Sequence, residues 1–150
     1  MKITRIIARE LLDSRGSPTI EAELTLNGKF TSRAIVPSGA STGEREAAEL
    51  RDNDQSRYFG KGVLDAVSNV NTEIANHIIN REIDSQKSLD DILINLDGTS
   101  NKKRLGANSI LSVSMAFARA NALCNHIPLY KYFNPNFKCI LPAPMINILN

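Results

Sequence analysis

Apolar and polar residues alternate along the segment that begins at Thr19. Ile20, Ala22, Leu24 and Leu26 are apolar, and threonine or glutamate stands between them. A period of two is typical of a β-strand with one face on the core and one face in water. The pattern therefore predicts a half-buried strand.

The alternation restarts after Asn27-Gly28, a dipeptide typical of hairpin turns. A two-residue loop would set Leu26 opposite Lys29 and place apolar residues on both faces. A three-residue loop sets Leu26 opposite Phe30 and keeps the apolar residues of both strands on one face. We therefore predict a hairpin with a three-residue loop and a bulge.

After Gly43 the apolar spacing becomes that of helices. Apolar residues between Val63 and Ile78 recur at intervals of four, three, four and four, which predicts a helix of about four turns. A shorter apolar stripe, Leu89 to Leu96, predicts a second helix. It should end at Asp97-Gly98, because this pair is a typical C-cap and turn signal.

A third helix is predicted from about Ala107 to Asn125. Its residues are small and apolar on most sides, which is typical of a helix buried between other elements. Asn108 or Ser109 is the predicted cap of its start. Pro128 ends the segment, and residues 129–133 are consistent with one more short helix.

Strands come first and helices follow, so the predicted fold class is α+β. Ile3 to Leu12 is a plausible third strand, giving a three-stranded antiparallel meander followed by a helical bundle. Two prolines then mark a linker, and Met145 to Leu149 is predicted to be a short strand. We place a domain boundary near Lys138, so that residues 1–138 form one domain and residues 139–150 begin another.

Composition and charge exclude several classes of function. Of the 150 residues, 42% are hydrophobic and 23% are charged, as in an ordinary globular protein. The net charge of +2 gives no electrostatic case for a nucleic-acid or membrane partner, and the basic run Lys102–Arg104 predicts a solvated loop. No secretory signal or membrane-spanning stretch is visible. Cys124 and Cys139 are predicted to be reduced thiols, which fits a cytoplasmic location.

The segment Pro37–Gly43 is a candidate binding loop. It contains two glycines and three hydroxyl residues and no large side chain. Glycine allows close approach to a ligand, and hydroxyl oxygens can bind a hard cation or a phosphate. An ordinary flexible loop explains the same composition. No Gly-Lys-Ser/Thr follows, so the segment is not a Walker P-loop.

Two other polar features remain open. Asp13–Thr19 lies between two predicted strands, where Arg15 could pair with Asp13 or reach a neighbouring surface. His77 and His126 are on predicted helices, far from any acidic cluster, which argues against a metal site or a catalytic triad.

Nine motifs, in this order, resemble the enolase family and together cover essentially the whole chain. They are 13–19, 36–43, 49–52, 60–63, 96–99, 101–102, 105–108, 128–130 and 145–150. Ser17 stands where the family usually has Asn, and Ser109 where it usually has Ala. The resemblance implies a capping domain of strands followed by helices, and then the first strand of an α/β barrel.

The resemblance also implies an activity, the reversible dehydration of 2-phosphoglycerate to phosphoenolpyruvate. The implied substrate lid consists of Ser38, Gly39, Ala40, Ser41, Thr42 and Gly43. Ser41 is the implied ligand of a second Mg²⁺, through its hydroxyl and carbonyl oxygens, and Mg²⁺ is the implied cofactor.

In the family the catalytic groups come from the barrel, so none is expected in this chain, and the chain alone should be inactive. Enolases are at least dimeric. Arg9 and Glu21 match positions of intersubunit ion pairs, and Arg15 is a further interface candidate. The competing hypothesis is a non-catalytic interaction module, or a decayed fragment, that reuses the capping domain.

Overall fold

The structure, a computed structural model, describes residues 1–37, 43, 46–136, 140 and 142–146. Three antiparallel strands come first: β1 (Ile3–Leu12), β2 (Pro18–Leu26) and β3 (Phe30–Ile35). They lie in the order β1-β2-β3, each paired with the next along the chain. The predicted meander is confirmed, and so is the α+β class.

The hairpin between β2 and β3 has the predicted register. Leu26 pairs with Phe30. Asn27 and Gly28 have positive φ angles, 51° and 67°, and the Lys29 N–H donates to the Leu26 carbonyl at 3.0 Å. The predicted three-residue loop, Asn27 to Lys29, is confirmed, and the bulge stays a prediction.

In the described residues five helices follow, with a 3₁₀ turn at Tyr58–Gly60 before the first of them. They are α1 (Leu64–Asn69), α2 (Ala75–Ile78), α3 (Gln86–Asp97), α4 (Ala107–Cys124) and α5 (Leu129–Phe133). A π-helical turn, Val70–Ile74, joins α1 to α2 without a break, so the predicted helix is continuous. A π turn holds more residues than an α turn, which keeps apolar residues four apart on one line.

The core lies between the sheet and α4, which packs across β2 and β3. Ile20 and Leu24 of β2 and Phe117 of α4 are completely buried. The small residues of α4 allow this close approach, and most of its positions are buried, as predicted. α4 therefore covers one face of the sheet.

The prediction that β2 is half-buried is wrong, because all nine of its residues are buried. The central strand carries Glu21 and Glu23 on the face opposite α4. Long arginine side chains from the two edge strands lie over these carboxylates: Arg5, Arg9 and Arg33. An arginine can cover a neighbour with its aliphatic stem while its charged end stays in water.

The predicted cap of α4 is also wrong. Gly106, not a hydroxyl or amide residue, occupies the N-cap position. Asn108 and Ser109 lie inside the helix and are buried. The Ser109 hydroxyl donates to the carbonyls of Leu105 (2.7 Å) and Ala66 (3.1 Å), so it ties two helices together.

Other helix ends agree with the sequence. α3 stops before Gly98, whose φ of 70° is the left-handed cap conformation. The prediction that His126 lies on a helix is wrong, because His126 lies just beyond α4 with a φ of 54°. None of the helices in the described part of the chain is both long and apolar enough to cross a membrane.

The C-terminal stretch shows no strand over residues 142–146. Met145 is 99% exposed and Ile146 is 74% exposed. The first two residues of the predicted strand Met145–Leu149 are thus not in a strand, and residues 147–150 lie outside the description. The proposed boundary at Lys138 and the thiol of Cys139 lie outside it as well.

Candidate functional site

The predicted lid begins directly after β3. Residues 38–42 lie outside the described part of the chain, and Gly43 is exposed. The chain is described up to Pro37 and again from residue 46, and these parts show what holds the segments before and after the loop.

The first end is fixed at Val36. Its N–H donates to the Ile20 carbonyl at 3.0 Å, and its carbonyl accepts a hydrogen bond from the Thr19 hydroxyl. Val36 itself is 5% exposed. The chain is therefore part of the sheet and core up to the residue before Pro37.

The segment that follows the loop is held by hydrogen bonds at alternate residues. The Ala48 N–H donates to the Asn101 carbonyl at 2.7 Å, and the Ala48 carbonyl accepts from the Ala107 N–H at 2.8 Å. The Asp52 N–H donates to the Gly62 carbonyl at 2.9 Å. The segment 48–52 thus binds its neighbours through backbone groups, much as a strand would.

Leu50, in the middle of that segment, is held by a side chain. The Asn108 amide accepts from the Leu50 N–H and donates to the Leu50 carbonyl, both at 3.0 Å. Asn108 is 3% exposed. Gly106 has a φ of 92°, and a Cβ added to it would lie 2.5 Å from Leu50 Cβ. Only glycine lets the two segments approach this closely.

We expect Asn108→Asp to destabilise the fold by about 2 kcal/mol, because the Leu50 carbonyl loses its donor and faces a buried carboxylate. Asn71 provides a matched control. Its amide makes the same two bonds, to the Ala8 N–H (2.7 Å) and carbonyl (3.0 Å), but Asn71 is exposed. Urea unfolding should show a clearly smaller loss for Asn71→Asp, since water can replace the lost donor. Equal losses would contradict this account.

Arg51 joins the second end of the loop to the β1–β2 turn. Its guanidinium donates to the Pro18 carbonyl at 2.7 Å, to the Lys61 carbonyl at 2.5 Å and to Glu49 Oε1 at 2.8 Å. A guanidinium offers five donors in a rigid plane, which suits a site where three chain segments meet.

The β1–β2 turn is itself held by hydrogen bonds. Asp13 Oδ1 accepts from the backbone N–H groups of Arg15 (2.8 Å) and Ser17 (2.9 Å). The hydrogen bond from Ser17 and those from Arg15 hold the pKa of Asp13 below its ordinary value. Of the two alternatives for Arg15, the pairing with Asp13 is observed, at 3.3 Å.

Asp52 and Gly62 form a further contact between the segment that follows the loop and the start of α1. The Asp52 carboxylate accepts from the backbone N–H groups of Leu64 and Asp65, each at 3.0 Å, and so caps α1 from twelve residues away. A Cβ on Gly62 would overlap Asp52 Oδ2. The motifs 49–52 and 60–63 therefore have a structural role here, in fixing α1 against the segment that follows the loop.

Asp97 shapes the turn that supplies the Asn101 carbonyl. It is 2% exposed, and its carboxylate accepts from the N–H groups of Thr99 (2.9 Å) and Leu105 (2.7 Å). Burial acts to raise the pKa of Asp97, but the hydrogen bonds from Leu105 and Thr99 outweigh it, so the pKa lies below its ordinary value. The carboxylate is thus held ionised inside the protein.

Motifs from several distant parts of the sequence therefore meet around the segments before and after one loop. The sequence profile described as "Enolase, N-terminal domain" matches residues 3–133 of this chain. The chain belongs to the enolase N-terminal domain family. Over 150 residues it is 57% identical to "Enolase 1" of Chlorobaculum tepidum, a match that covers 100% of this chain and 35% of that relative. The chain thus spans about a third of the relative's length.

In this enolase N-terminal domain, Arg9 and Glu21 pair with each other. Arg9 lies 3.1 Å from Glu21 and 3.4 Å from Glu23. Burial acts to raise the pKa of Glu23, but the hydrogen bond from Arg5 and the charges of Arg9 and Arg33 outweigh it, so this pKa is lowered. The cluster lies on the sheet face opposite α4, and its role as a subunit interface stays a prediction, as does that of Arg15.

The described residues of this enolase N-terminal domain contain no group of three or more His, Cys, Asp or Glu side chains able to hold a metal ion. His77 Nε2 lies 3.3 Å from the Arg81 guanidinium. Cys124 is a free thiol. The metal prediction rests on Ser41 and the lid prediction on residues 38–43, of which only Gly43 is described.

Sequence reasoning missed the residues that hold the ends of the loop. The sequence predicts Asn108 or Ser109 as a helix cap and Asp97 as part of a turn. One signal could have found both. A polar residue at an apolar-spaced position of a buried helix needs a hydrogen-bond partner, which Asn108 finds at Leu50 and Asp97 finds at Thr99 and Leu105.

Proposed function

We propose that this domain is part of an enolase, a lyase that interconverts 2-phosphoglycerate and phosphoenolpyruvate. The observation that carries the proposal is the 57% identity to an enolase over all 150 residues. The hydrogen bonds at Val36 and at residues 48–52 support it, because they fix the described chain before and after the loop. The acid, the base and the phosphate-binding groups would come from parts of the protein outside this chain.

The proposed role of this chain is to supply the loop 38–43, which would cover the substrate. Ser41 would offer a hydroxyl and a carbonyl oxygen, the hard ligands that Mg²⁺ prefers. One serine is only part of a coordination shell, and the described residues add no carboxylate cluster. Most of the Mg²⁺ ligands must therefore come from elsewhere. When bound, the metal would stabilise negative charge that develops on the substrate.

We further propose a homodimer or higher oligomer, with Arg9, Glu21 and Arg15 at the interface, and a cytoplasmic location. The sheet face that carries Arg9 has charged groups of both signs within 3.4 Å of each other. A partner could exchange ion pairs with such a face without leaving a buried charge unpaired.

The activity is tested by following phosphoenolpyruvate formation from 2-phosphoglycerate with Mg²⁺. The 150-residue chain alone should give no turnover, and a protein that joins it to an enolase barrel should be active. Turnover by the isolated chain would refute the assignment of the catalytic groups to the barrel. An inactive, well-folded joined protein would favour the interaction module instead.

In the active protein, we expect Ser41→Ala to lower kcat/KM by roughly 10- to 100-fold and to raise the Mg²⁺ concentration needed for half-maximal rate. Ser56→Ala is the matched control. Ser56 is exposed and bonds only to Asp54 among the described residues, so its removal should leave both quantities unchanged. An unchanged Mg²⁺ requirement in Ser41→Ala would exclude Ser41 as a ligand.

A further inference from the structure

A pocket of about 300 Å³ opens between α3 and α4, on the side of the segment that follows the loop. We call it the α3–α4 pocket. Its walls are apolar and are formed by Ala47, Ile94, Ala107, Ile110 and Leu111. Ile94 and Leu111 are 41% and 45% exposed. A concave apolar surface of this size is typical of small-molecule sites.

The charge in the α3–α4 pocket comes from Lys102, the first residue of the basic run. Arg104, two residues on, is already paired with Glu73 at 2.7 Å. Lys102 is half-buried and lines the pocket, and its ammonium has no ion pair or hydrogen bond with any described residue. A cation beside an apolar wall is thus open to a ligand.

The acidic residue of the same pocket, Asp90, has hydrogen-bond partners within the protein. Asp90 lines it, but Asp90 Oδ1 accepts from the Ser114 hydroxyl at 2.7 Å and from Gln86 Nε2 at 3.1 Å. These two donors hold one oxygen of the carboxylate within the protein. Of the two charged side chains that line the pocket, Lys102 is thus the one whose charged group has no hydrogen-bond partner among the described residues, and an anionic ligand complements it.

We propose that the α3–α4 pocket binds a small amphipathic carboxylate, with the carboxylate on Lys102 and an alkyl chain against Ile94 and Leu111. This ligand is distinct from the proposed substrate, which is a small, highly charged phosphate ester with no apolar chain. Burial of methylene groups against these walls favours binding, so a chain of about seven carbons can give measurable affinity. The proposal is independent of enolase activity.

The test uses octanoate as the probe, titrated into the isotope-labelled chain and followed through the amide resonances of Ile94 and Leu111. Octan-1-ol has the same chain without the charge, and octylamine carries the opposite charge. We expect octanoate to bind about five- to tenfold more tightly than octan-1-ol, and octylamine to bind most weakly.

Two pairs of variants sharpen the test. Lys102→Gln should remove the preference for octanoate over octan-1-ol, while Lys103→Gln, in the same basic run but outside the pocket, should keep it. Leu111→Glu should abolish octanoate binding. Leu123→Glu, at a 49% exposed position of the same helix, should not. The dispersed amide spectrum of each variant shows that it is folded.

Three results would overturn the proposal. Equal affinities for octanoate and octan-1-ol would remove the role of Lys102. Shifts of the Leu111 resonance on dilution, without any probe, would show that a second copy of the chain occupies the pocket. Loss of octanoate binding when the chain is joined to an enolase barrel would show that the barrel covers it.

Discussion

Gly106→Ala is expected to lower the free energy of unfolding by about 3 kcal/mol. Gly106 has φ 92° and ψ 132°, a region that residues with a Cβ rarely adopt, and this strain costs about 1–2 kcal/mol. The added Cβ would lie 2.5 Å from Leu50 Cβ and 2.6 Å from Asn108 Oδ1. Forcing these groups apart adds roughly 1–3 kcal/mol and breaks the Asn108 contact with Leu50.

Gly28→Ala is the matched control, because Gly28 also has a positive φ, 67°, but an added Cβ there would meet nothing within 4 Å. It should cost only about 1 kcal/mol. Urea unfolding measures both variants, and amide exchange at Leu50 reports on the contact itself. The two variants could instead lose similar free energies of unfolding, with the Leu50 amide protected from exchange in both. Backbone strain alone would then explain the effect, and the close approach of Gly106 to Leu50 would be unimportant.

Asp97→Asn is expected to cost about 2–3 kcal/mol at neutral pH. The substitution keeps the shape but turns one acceptor into a donor, which then faces either the Leu105 or the Thr99 N–H inside the protein. Asp54 makes the same local motif, accepting from the N–H (2.9 Å) and hydroxyl (2.6 Å) of Ser56, but it is exposed. Asp54→Asn should therefore have a much smaller effect on unfolding by urea.

The pH dependence of this difference follows from the lowered pKa of Asp97. A carboxyl group whose pKa is lower in the folded state stabilises the fold above its unfolded pKa, which is about 3.9. That contribution is lost as the pH falls through the folded pKa. The stability gap between the wild type and Asp97→Asn should thus be constant above about pH 5 and narrow below about pH 4. A gap that widens on acidification would contradict the assignment.

These two variants test one structural idea, that Gly106 and the buried polar residues Asn108 and Asp97 fix the segment after the loop. Gly106 and Asn108 act on Leu50, and Asp97 shapes the turn that binds Ala48. These contacts fix the described chain that follows the loop.

Sequence reasoning predicted the register of the β2–β3 hairpin because the side-chain period of a strand is two. A slip of one residue would move Leu26 and its apolar neighbours to the wrong face. The end of α3 was predictable for a similarly local reason, since Gly98 adopts the left-handed conformation that ends a helix. The lid and the Mg²⁺ ligand came from the resemblance to a family and not from the physical pattern.

Other features depended on residues that are distant in the sequence. Glu21 and Glu23 are buried because arginines on two neighbouring strands cover them, and the alternation along β2 does not reveal those neighbours. Asn108 lies 58 residues from Leu50, so its role as a clamp cannot be read from its place at the start of a helix. In each case a polar group obtained its partner only when the chain was folded.

The sequence by itself therefore determined the order of the elements, the hairpin register and the ends of most helices, because these follow from the local periods of strand and helix and from turn residues. The tertiary structure decided which polar residues hold the loop after β3, and that Lys102 faces an apolar pocket between α3 and α4. Both depend on long-range packing, in which buried hydrogen-bonding groups and charges are paired across elements that no local pattern relates.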